Sequence, residues 1–207
     1  MLWQRRKHEQ RGFTLLETMI AMVVLTVGVV GLAAMLANSL AYMNMSQVDY
    51  IAQQKAAEAI ESIFTARDLG SATWSSICNV GSSVCCAGVT PCNTGIFLNG
   101  AQPLCQPGPD GIYDTADDFS AAGVCSTYDV MLLPNSGTGN YGGVGNTPIR
   151  IQLTSKWNFQ RTVTISTVLN AAGNVIDNLR QISVTITYNS GKLPRSYTLT
   201  TNISDTL

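Results

Sequence analysis

Four carboxylates lie close together at positions 110–118 of this 207-residue chain. Asp110, Asp114, Asp117 and Asp118 accompany a glycine turn at Gly111, and such a loop could wrap a hard cation such as calcium. Crowded carboxylates repel one another without a cation, which favours the metal. The spacing departs from the EF-hand pattern and lacks its closing glutamate. The segment therefore predicts either a calcium site or a solvated acidic turn, and no cofactor is expected to be required.

A single carboxylate, Glu17, stands at the start of a long apolar stretch. Residues 18–48 contain no charged residue and no proline, and a bilayer core needs only ~20 apolar residues as helix. A short basic stretch precedes them and consists of Arg5, Arg6, Lys7 and Arg11. A carboxylate inside a spanning segment is costly and usually has a designated partner. The pattern predicts a membrane helix with a functional carboxylate. The alternative is an ordinary signal anchor, in which Glu17 only marks the boundary of the apolar stretch.

Residues suited to catalysis are scarce. The only histidine is His8, and a mature chain that begins at Phe13 would have none, which excludes His-based triads and His-ligated metal sites. Serine–lysine chemistry would depend on Lys55, Lys156 or Lys192, and nothing places a serine beside any of them. We therefore predict that the chain is not an enzyme, and a membrane-anchored hydrolase is the disfavoured alternative.

Two features argue against nucleotide and nucleic-acid binding. The segment 137–142 reads GxGxxG, but the dinucleotide fingerprint needs a strand before it and a helix after it, whereas more glycines and a proline follow. Without residues 1–12, eight basic side chains face twelve acidic ones, and nonspecific nucleic-acid binding needs clustered Lys and Arg. We expect a flexible loop at 137–142 and no nucleic-acid partner.

A long helix must position Glu17. It is predicted to comprise a transmembrane segment, residues 13–37, and an amphipathic continuation, residues 38–69, that stops at Gly70. The continuation carries an apolar stripe at helical spacing, made of Ala52, Ala56, Ala59, Ile60 and Ile63. We expect this stripe to pack on a folded domain, while the first segment lies in lipid.

The next region, residues 70–148, is rich in glycine, proline, serine and cysteine and is predicted to be mostly loop. It holds all six cysteines, which are Cys78, Cys85, Cys86, Cys92, Cys105 and Cys125. An even number in an exported, loop-rich segment indicates disulfides, although the sequence does not choose the pairing. Adjacent Cys85 and Cys86 are expected to have separate partners. Zinc is the weaker alternative, because CxxC spacing is missing.

The C-terminal part, residues 149–207, is predicted to be an antiparallel sheet. Its candidate strands are Ile149–Thr154, Arg161–Leu169, Gln181–Tyr188 and Arg195–Ile203, and a further candidate strand, Thr127–Leu133, lies before it. Apolar and polar residues alternate in Gln181–Tyr188, as expected for a strand with one face packed and the other exposed to solvent. The helix would cover the packed face. The predicted fold is α+β, a long N-terminal helix packed on the sheet, with the disulfide-rich region inserted between them.

The junction Gly12-Phe13-Thr14-Leu15-Leu16-Glu17 resembles the prepilin leader junction of type IV pilins and type II secretion pseudopilins. Residues 27–34, with Gln54, Ala56, Ala57 and Glu61, resemble PilV-type minor pilins more narrowly. The resemblance implies a leader, residues 1–12, which prepilin peptidase removes between Gly12 and Phe13, followed by N-methylation of Phe13. It also implies the helix-on-sheet fold, and pairing of Glu17 with the terminal amine of a neighbouring subunit.

Two details qualify this resemblance. Many pilins carry a proline partway along the apolar helix, and this chain has none there. The acidic segment 110–118 is similar to the calcium loop of some major pseudopilins, which supports calcium as a possible ligand.

The expected function is that of a minor pilin-like subunit in type IV pilus assembly, initiation or modification. The alternatives are a minor pseudopilin of a type II secretion system and a pilus-borne adhesive or ligand-binding surface protein. The expected partners are other pilin or pseudopilin subunits, prepilin peptidase and, before assembly, membrane lipid. The chain would sit in the inner membrane with its domain in the periplasm, and afterwards in a cell-surface pilus.

Overall fold

The computed structural model describes residues 14–85, 94–133, 149–191 and 193–205. The chain divides into two compact units, residues 1–46 and 47–207. One helix, α1 (Leu15–Asp68), contributes to both units. In the first unit it is the only described element, and its residues are exposed along almost its whole length there.

The helix ends where the sequence predicts. Gly70 has a φ of +72°, a left-handed conformation that glycine adopts at little cost and that commonly terminates helices. The carbonyl of Ala66 accepts hydrogen bonds from the Ala72 N–H at 3.1 Å and from Ser71 Oγ at 3.1 Å. These bonds satisfy a carbonyl that would otherwise lack a partner at the helix end.

The second unit is a helix laid on an antiparallel sheet, which confirms the predicted α+β fold. The sheet has four strands in the order β1-β4-β5-β6. These strands are β1 (Gln102–Pro103), β4 (Gln160–Leu169), β5 (Val175–Ser190) and β6 (Leu193–Ser204). A separate two-stranded sheet joins β2 (Val130–Leu133) to β3 (Ile149–Gln152).

The core lies between the second half of α1 and the inner face of the larger sheet. The predicted helical stripe is buried, and Ala52, Ala56 and Ala59 are fully so. Small side chains on this stripe let the helix approach the sheet closely. Ile182, Val184 and Ile186 of β5 are fully buried, and the residues between them are half-exposed, so the predicted alternation is confirmed.

Several boundaries differ from the sequence prediction. The strand expected at Ile149–Thr154 ends at Gln152, because a five-residue helix, α2 (Leu153–Trp157), follows and buries Leu153. The strand expected at Thr127–Leu133 begins only at Val130. The strand expected at Gln181–Tyr188 is longer, since hairpin pairing with β4 and β6 extends it.

The region between helix and sheet is mostly loop, as predicted. Besides β1 and β2, its described residues form two short 3-10 helices, Trp74–Ser76 and Ala116–Asp118. Its buried apolar side chains join the common core and are Ala72, Ile77, Phe97, Leu104 and Ile112.

Candidate functional site

The start of α1 carries the residue with the strongest functional prediction. Thr14 caps the helix, because the Glu17 N–H donates to the Thr14 carbonyl at 3.0 Å and lies 3.4 Å from Thr14 Oγ1. Thr14-x-x-Glu17 has the spacing of a capping box, in which each residue supports the first turn of the helix. This role of Thr14 was not predicted from the sequence, although the Thr-x-x-Glu spacing indicates it.

Glu17 is exposed in the first turn of α1 and lies among apolar side chains. Its neighbours Leu16, Met19 and Ile20 are more than half exposed. No basic side chain in the described part of the chain pairs with its carboxylate. The carboxylate is therefore available to a group from outside the described residues. Gly12 and Phe13, the predicted processing residues, lie outside the described range.

The first half of α1 is a continuous apolar surface. It forms the one described helix long and apolar enough to cross a membrane, with a mean hydropathy of 2.6 over its best window and none of that window buried. Gly28 and Gly31 lie on this segment, and nothing is within 4 Å of where their Cβ atoms would be. In helix bundles, small residues in such open positions let a neighbouring helix approach closely.

The acidic segment is held by a buried ion pair. Asp114 and Arg161 are both fully buried, and Arg161 of β4 donates from Nε to Asp114 Oδ2 at 2.9 Å and from Nη2 to Oδ1 at 3.1 Å. The Tyr113 ring lies 4.3 Å from the guanidinium carbon. Burial raises the pKa of Asp114, and the Arg161 charge opposes that rise. The pair fastens the acidic segment to the sheet.

The other three acidic side chains have protein partners too. Asp118 accepts the Gly108 N–H at 2.7 Å and the Asp114 N–H at 2.6 Å. Burial raises the pKa of Asp118 to about 6, although these two hydrogen bonds act in the opposite direction. Asp110 accepts the Ile112 N–H at 2.8 Å, and Asp117 accepts a hydrogen bond from a neighbouring threonine hydroxyl.

These contacts bear on the predicted calcium site. Asp114 and Asp118 point into the protein, whereas Asp110 and Asp117 are exposed. Among the described residues, no three His, Cys, Asp or Glu side chains are grouped as a metal site would require, and calcium takes six to eight oxygen ligands. The four aspartates thus act as internal hydrogen-bond acceptors in this arrangement, and calcium binding stays a prediction.

Two disulfides join described residues of the loop-rich region. Cys78 bonds Cys85, and Cys105 bonds Cys125 across 20 residues of sequence. Cys85 thus has its partner in Cys78, and not in adjacent Cys86. Cys86 and Cys92 lie outside the described residues.

The lysines considered for catalysis serve other contacts. Lys55 donates a hydrogen bond to Glu58 at 2.7 Å and forms an ion pair with Asp129 at 2.8 Å. Burial lowers the pKa of Lys55, but the two carboxylates raise it more, so the net shift is upward. A lysine held in its charged form is a poor base. Lys156 lies over the Trp157 ring at 4.6 Å, while Lys192 and the glycine-rich segment 137–142 are outside the described residues.

A family model matches the N-terminal part of the chain. Residues 7–33 match the model of the prokaryotic N-terminal methylation motif. This match supports a type IV pilin-like or pseudopilin-like chain, and the motif implies processing by prepilin peptidase and assembly with other pilin subunits. The exposed apolar helix is consistent with membrane anchoring before assembly. Searches of curated proteins and of solved structures return no match.

Proposed function

We propose that this chain is a minor pilin-like structural subunit of a type IV pilus, without enzymatic activity. One observation carries the proposal, namely that the apolar first half of α1 is exposed and that no basic side chain in the described part of the chain pairs with the glutamate in its first turn. An exposed apolar surface of this size needs either lipid or other apolar helices around it. A subunit that is anchored in a membrane before it joins a helical bundle is surrounded first by lipid and then by other apolar helices.

Glu17 gives this packing its register. Cleavage before Phe13 would create an α-amino group, whose reference pKa of ~7.7–8.0 keeps it largely cationic near neutral pH. Apolar helices slide past one another at little cost, since every register buries similar surface. An amine of one subunit paired with Glu17 of its neighbour favours one register, because an unpaired charge in an apolar bundle is costly.

The loop-rich region favours a minor subunit of a pilus over a minor pseudopilin of a secretion system. It is long, disulfide-bonded and fastened to both α1 and the sheet, through Lys55–Asp129 and Asp114–Arg161. A long insertion offers a surface for modifying a filament. A pilus-borne adhesin would use the same surface, and ligand binding to the purified protein would distinguish that role.

The test replaces the glutamate and compares filaments. We expect Glu17→Ala to leave membrane insertion and cleavage between Gly12 and Phe13 intact, as shown by mass spectrometry, but to remove the subunit from sheared filaments. Glu61→Ala is the matched control, because Glu61 is an exposed glutamate farther along the same helix. Normal incorporation of Glu17→Ala would refute the assembly role.

A further inference from the structure

A shallow depression of about 350 Å³ lies at the end of the larger sheet near the hairpin of β5 and β6. The polar residues that line this hairpin depression are Asn158, Thr187, Asn189, Arg195 and Ser196. The first comes from the turn that ends α2, and the others come from the paired strands. All of them lie outside the loop-rich region. A volume of this order is typical of sites for small ligands.

The charge of the one cationic side chain in this lining is already compensated. Arg195 Nη1 donates to Asp49 Oδ2 at 2.9 Å, and Asp49 Oδ1 accepts the Tyr188 hydroxyl at 2.8 Å. Arg195 is therefore no unpaired cation, and both oxygens of the Asp49 carboxylate have partners. An anionic or a cationic ligand would have to break this arrangement, so the described lining favours a neutral ligand.

The other polar groups of the lining both donate and accept hydrogen bonds. Asn158 and Asn189 present side-chain amides, and Thr187 and Ser196 present hydroxyls. In the described part of the chain, none of these four side chains has a hydrogen-bond partner. Amides and hydroxyls each combine donor and acceptor capacity, as the hydroxyls of a sugar do. An apolar ligand would leave these groups unpaired, which is unfavourable, so the lining favours a ligand with many hydroxyls.

The outer face of the sheet continues from the hairpin depression without a charged residue. Its positions on β4, β5 and β6 form four rows of three residues, and every one is serine, threonine, asparagine or glutamine. None of them is buried. The first row joins Gln160, Thr187 and Ser196, and the last joins Ser166, Gln181 and Asn202. Surfaces that face only water ordinarily mix charges of both signs among their polar residues, and this uncharged face does not.

Hydroxyl pairs orient part of the uncharged face. Thr185 Oγ1 lies 2.9 Å from Thr198 Oγ1, and Ser183 Oγ lies 3.3 Å from Thr200 Oγ1. One hydroxyl of each pair donates to the other, and both keep acceptor lone pairs for a ligand. Between its first and last rows the face extends ~20 Å, at ~3.4 Å per residue of strand. It is therefore long enough for several sugar units beyond the hairpin depression.

We propose that the hairpin depression and the uncharged face together bind a neutral oligosaccharide. One sugar unit lies in the depression, where the amides of Asn158 and Asn189 and the hydroxyl of Ser196 bond its hydroxyls. The following units lie along the rows of β5 and β6. The site uses none of the residues proposed for assembly, so this inference goes beyond the role as a pilus subunit and does not depend on it.

Binding of the detergent-solubilised full chain to immobilised oligosaccharides tests the class of ligand. The probes are short homopolymers of glucose, mannose, galactose or N-acetylglucosamine, beside matching chains of uronic acids. We expect at least one neutral probe to bind, and to bind more tightly than its own monosaccharide, while uronic-acid chains bind roughly tenfold more weakly. The absence of binding to every neutral probe, or equal binding of the uronic acids, would overturn the proposal.

A substitution in the hairpin depression tests the site. Asn189→Ala should weaken binding of the neutral probe roughly tenfold, because the hydrogen bonds of one amide are lost. Asn174→Ala is the matched control, since Asn174 is an exposed asparagine in the turn between β4 and β5, at the other end of the sheet. Unchanged binding by Asn189→Ala, or an equal loss in Asn174→Ala, would refute the site.

A second variant tests the role of the ion pair without removing a lining residue. Asp49→Asn keeps an acceptor for the Tyr188 hydroxyl but leaves the Arg195 charge uncompensated. We expect uronic-acid chains to bind this variant roughly tenfold more tightly than they bind the unmodified chain, because an unpaired guanidinium recognises carboxylates. Uronic-acid binding that stays unchanged would contradict the assignment. Glu17→Ala should bind the neutral probe as the unmodified chain does, so a failure of assembly and a failure of ligand binding are distinguishable.

Discussion

Breaking the buried ion pair between Asp114 and Arg161 should destabilise the 47–207 unit severely. In Asp114→Asn the side chain keeps its shape, and asparagine tolerates the left-handed backbone at this position, where φ is +63°. The amide cannot neutralise the guanidinium, whose Nη1 already has no hydrogen-bond partner among the described residues. The variant thus isolates the loss of charge pairing from any change of volume.

The expected loss follows from burial. Both side chains are almost completely excluded from solvent, at 0% and 1% exposure for Arg161 and Asp114. Removing one member of such a pair leaves an uncompensated buried charge and costs about 3–5 kcal/mol. Folded domains are stable by about 5–15 kcal/mol, so the variant should lose a large share of its stability. Removing both charges in Asp114→Asn/Arg161→Met should recover a substantial part of it.

Chemical unfolding followed by tryptophan fluorescence measures this loss, because Trp74 and Trp157 both belong to the unit concerned. Arg195→Met is the control. Its ion pair with Asp49 is 2.9 Å long but 41% and 33% exposed, and exposed pairs contribute about 0–1 kcal/mol. If Asp114→Asn is no more destabilising than Arg195→Met, or if the double variant is less stable than either single one, the reasoning is wrong.

Three further predictions concern the same unit. Alkylation of the unreduced protein should label none of Cys78, Cys85, Cys105 or Cys125, and labelled peptides from these positions would contradict the pairing. The folded-state pKa of Asp118 is raised to about 6 from 3.8. Protonation of Asp118 therefore adds to the free energy of unfolding fully below pH 3.8, and this addition is lost as pH rises through 6. The loss amounts to roughly 3 kcal/mol at 1.36 kcal/mol per pKa unit, and the free energy of unfolding of Asp118→Asn should not fall over this pH range. Ala56→Leu should destabilise by about 1–3 kcal/mol through overpacking, whereas exposed Ala57→Leu should be neutral, and equal Tm values would refute the packing.

The helix was predictable because its signals are local. The apolar run, the alanine-rich stripe and the stop at Gly70 each depend on residues that are close in sequence, and helical periodicity detects the first two directly. The strand β5 shows the opposite situation. Its first six residues, 175–180, include Asp177 and Asn178 and lack alternation, so only pairing with β4 and β6 makes them a strand. Such pairing depends on distant residues and overrides local preference.

Helix α2 escaped prediction for a different reason. Five residues give too little length to distinguish a helical period from an extended one. Asn158 ends it in the left-handed conformation, with a φ of 51° and its N–H bonded to the Thr154 carbonyl. Asparagine is among the few residues that adopt this conformation readily, and that was the available signal.

Arg161 shows which part of the candidate site a sequence pattern can predict. It shares the period-two face of Val163 and Ile165, both buried, so the alternation already placed a guanidinium toward the core. A charge there requires a buried partner. The pattern cannot name that partner, because Asp114 lies 47 residues away in a loop, and only the folded chain brings the two together.

The loop-rich region therefore depends on links that differ in kind from those of the helix and sheet. Asp114 fastens it to β4 through Arg161, Asp129 fastens it to α1 through Lys55, and the Cys105–Cys125 disulfide closes the segment that contains Asp114. A disulfide closing a loop of this size restricts the unfolded chain and stabilises by about 3 kcal/mol. That restriction limits the conformations open to the segment that carries Asp114, so reduction of this disulfide should weaken the ion pair as well as the loop. The order of the loop-rich region would then depend on the oxidation of Cys105 and Cys125.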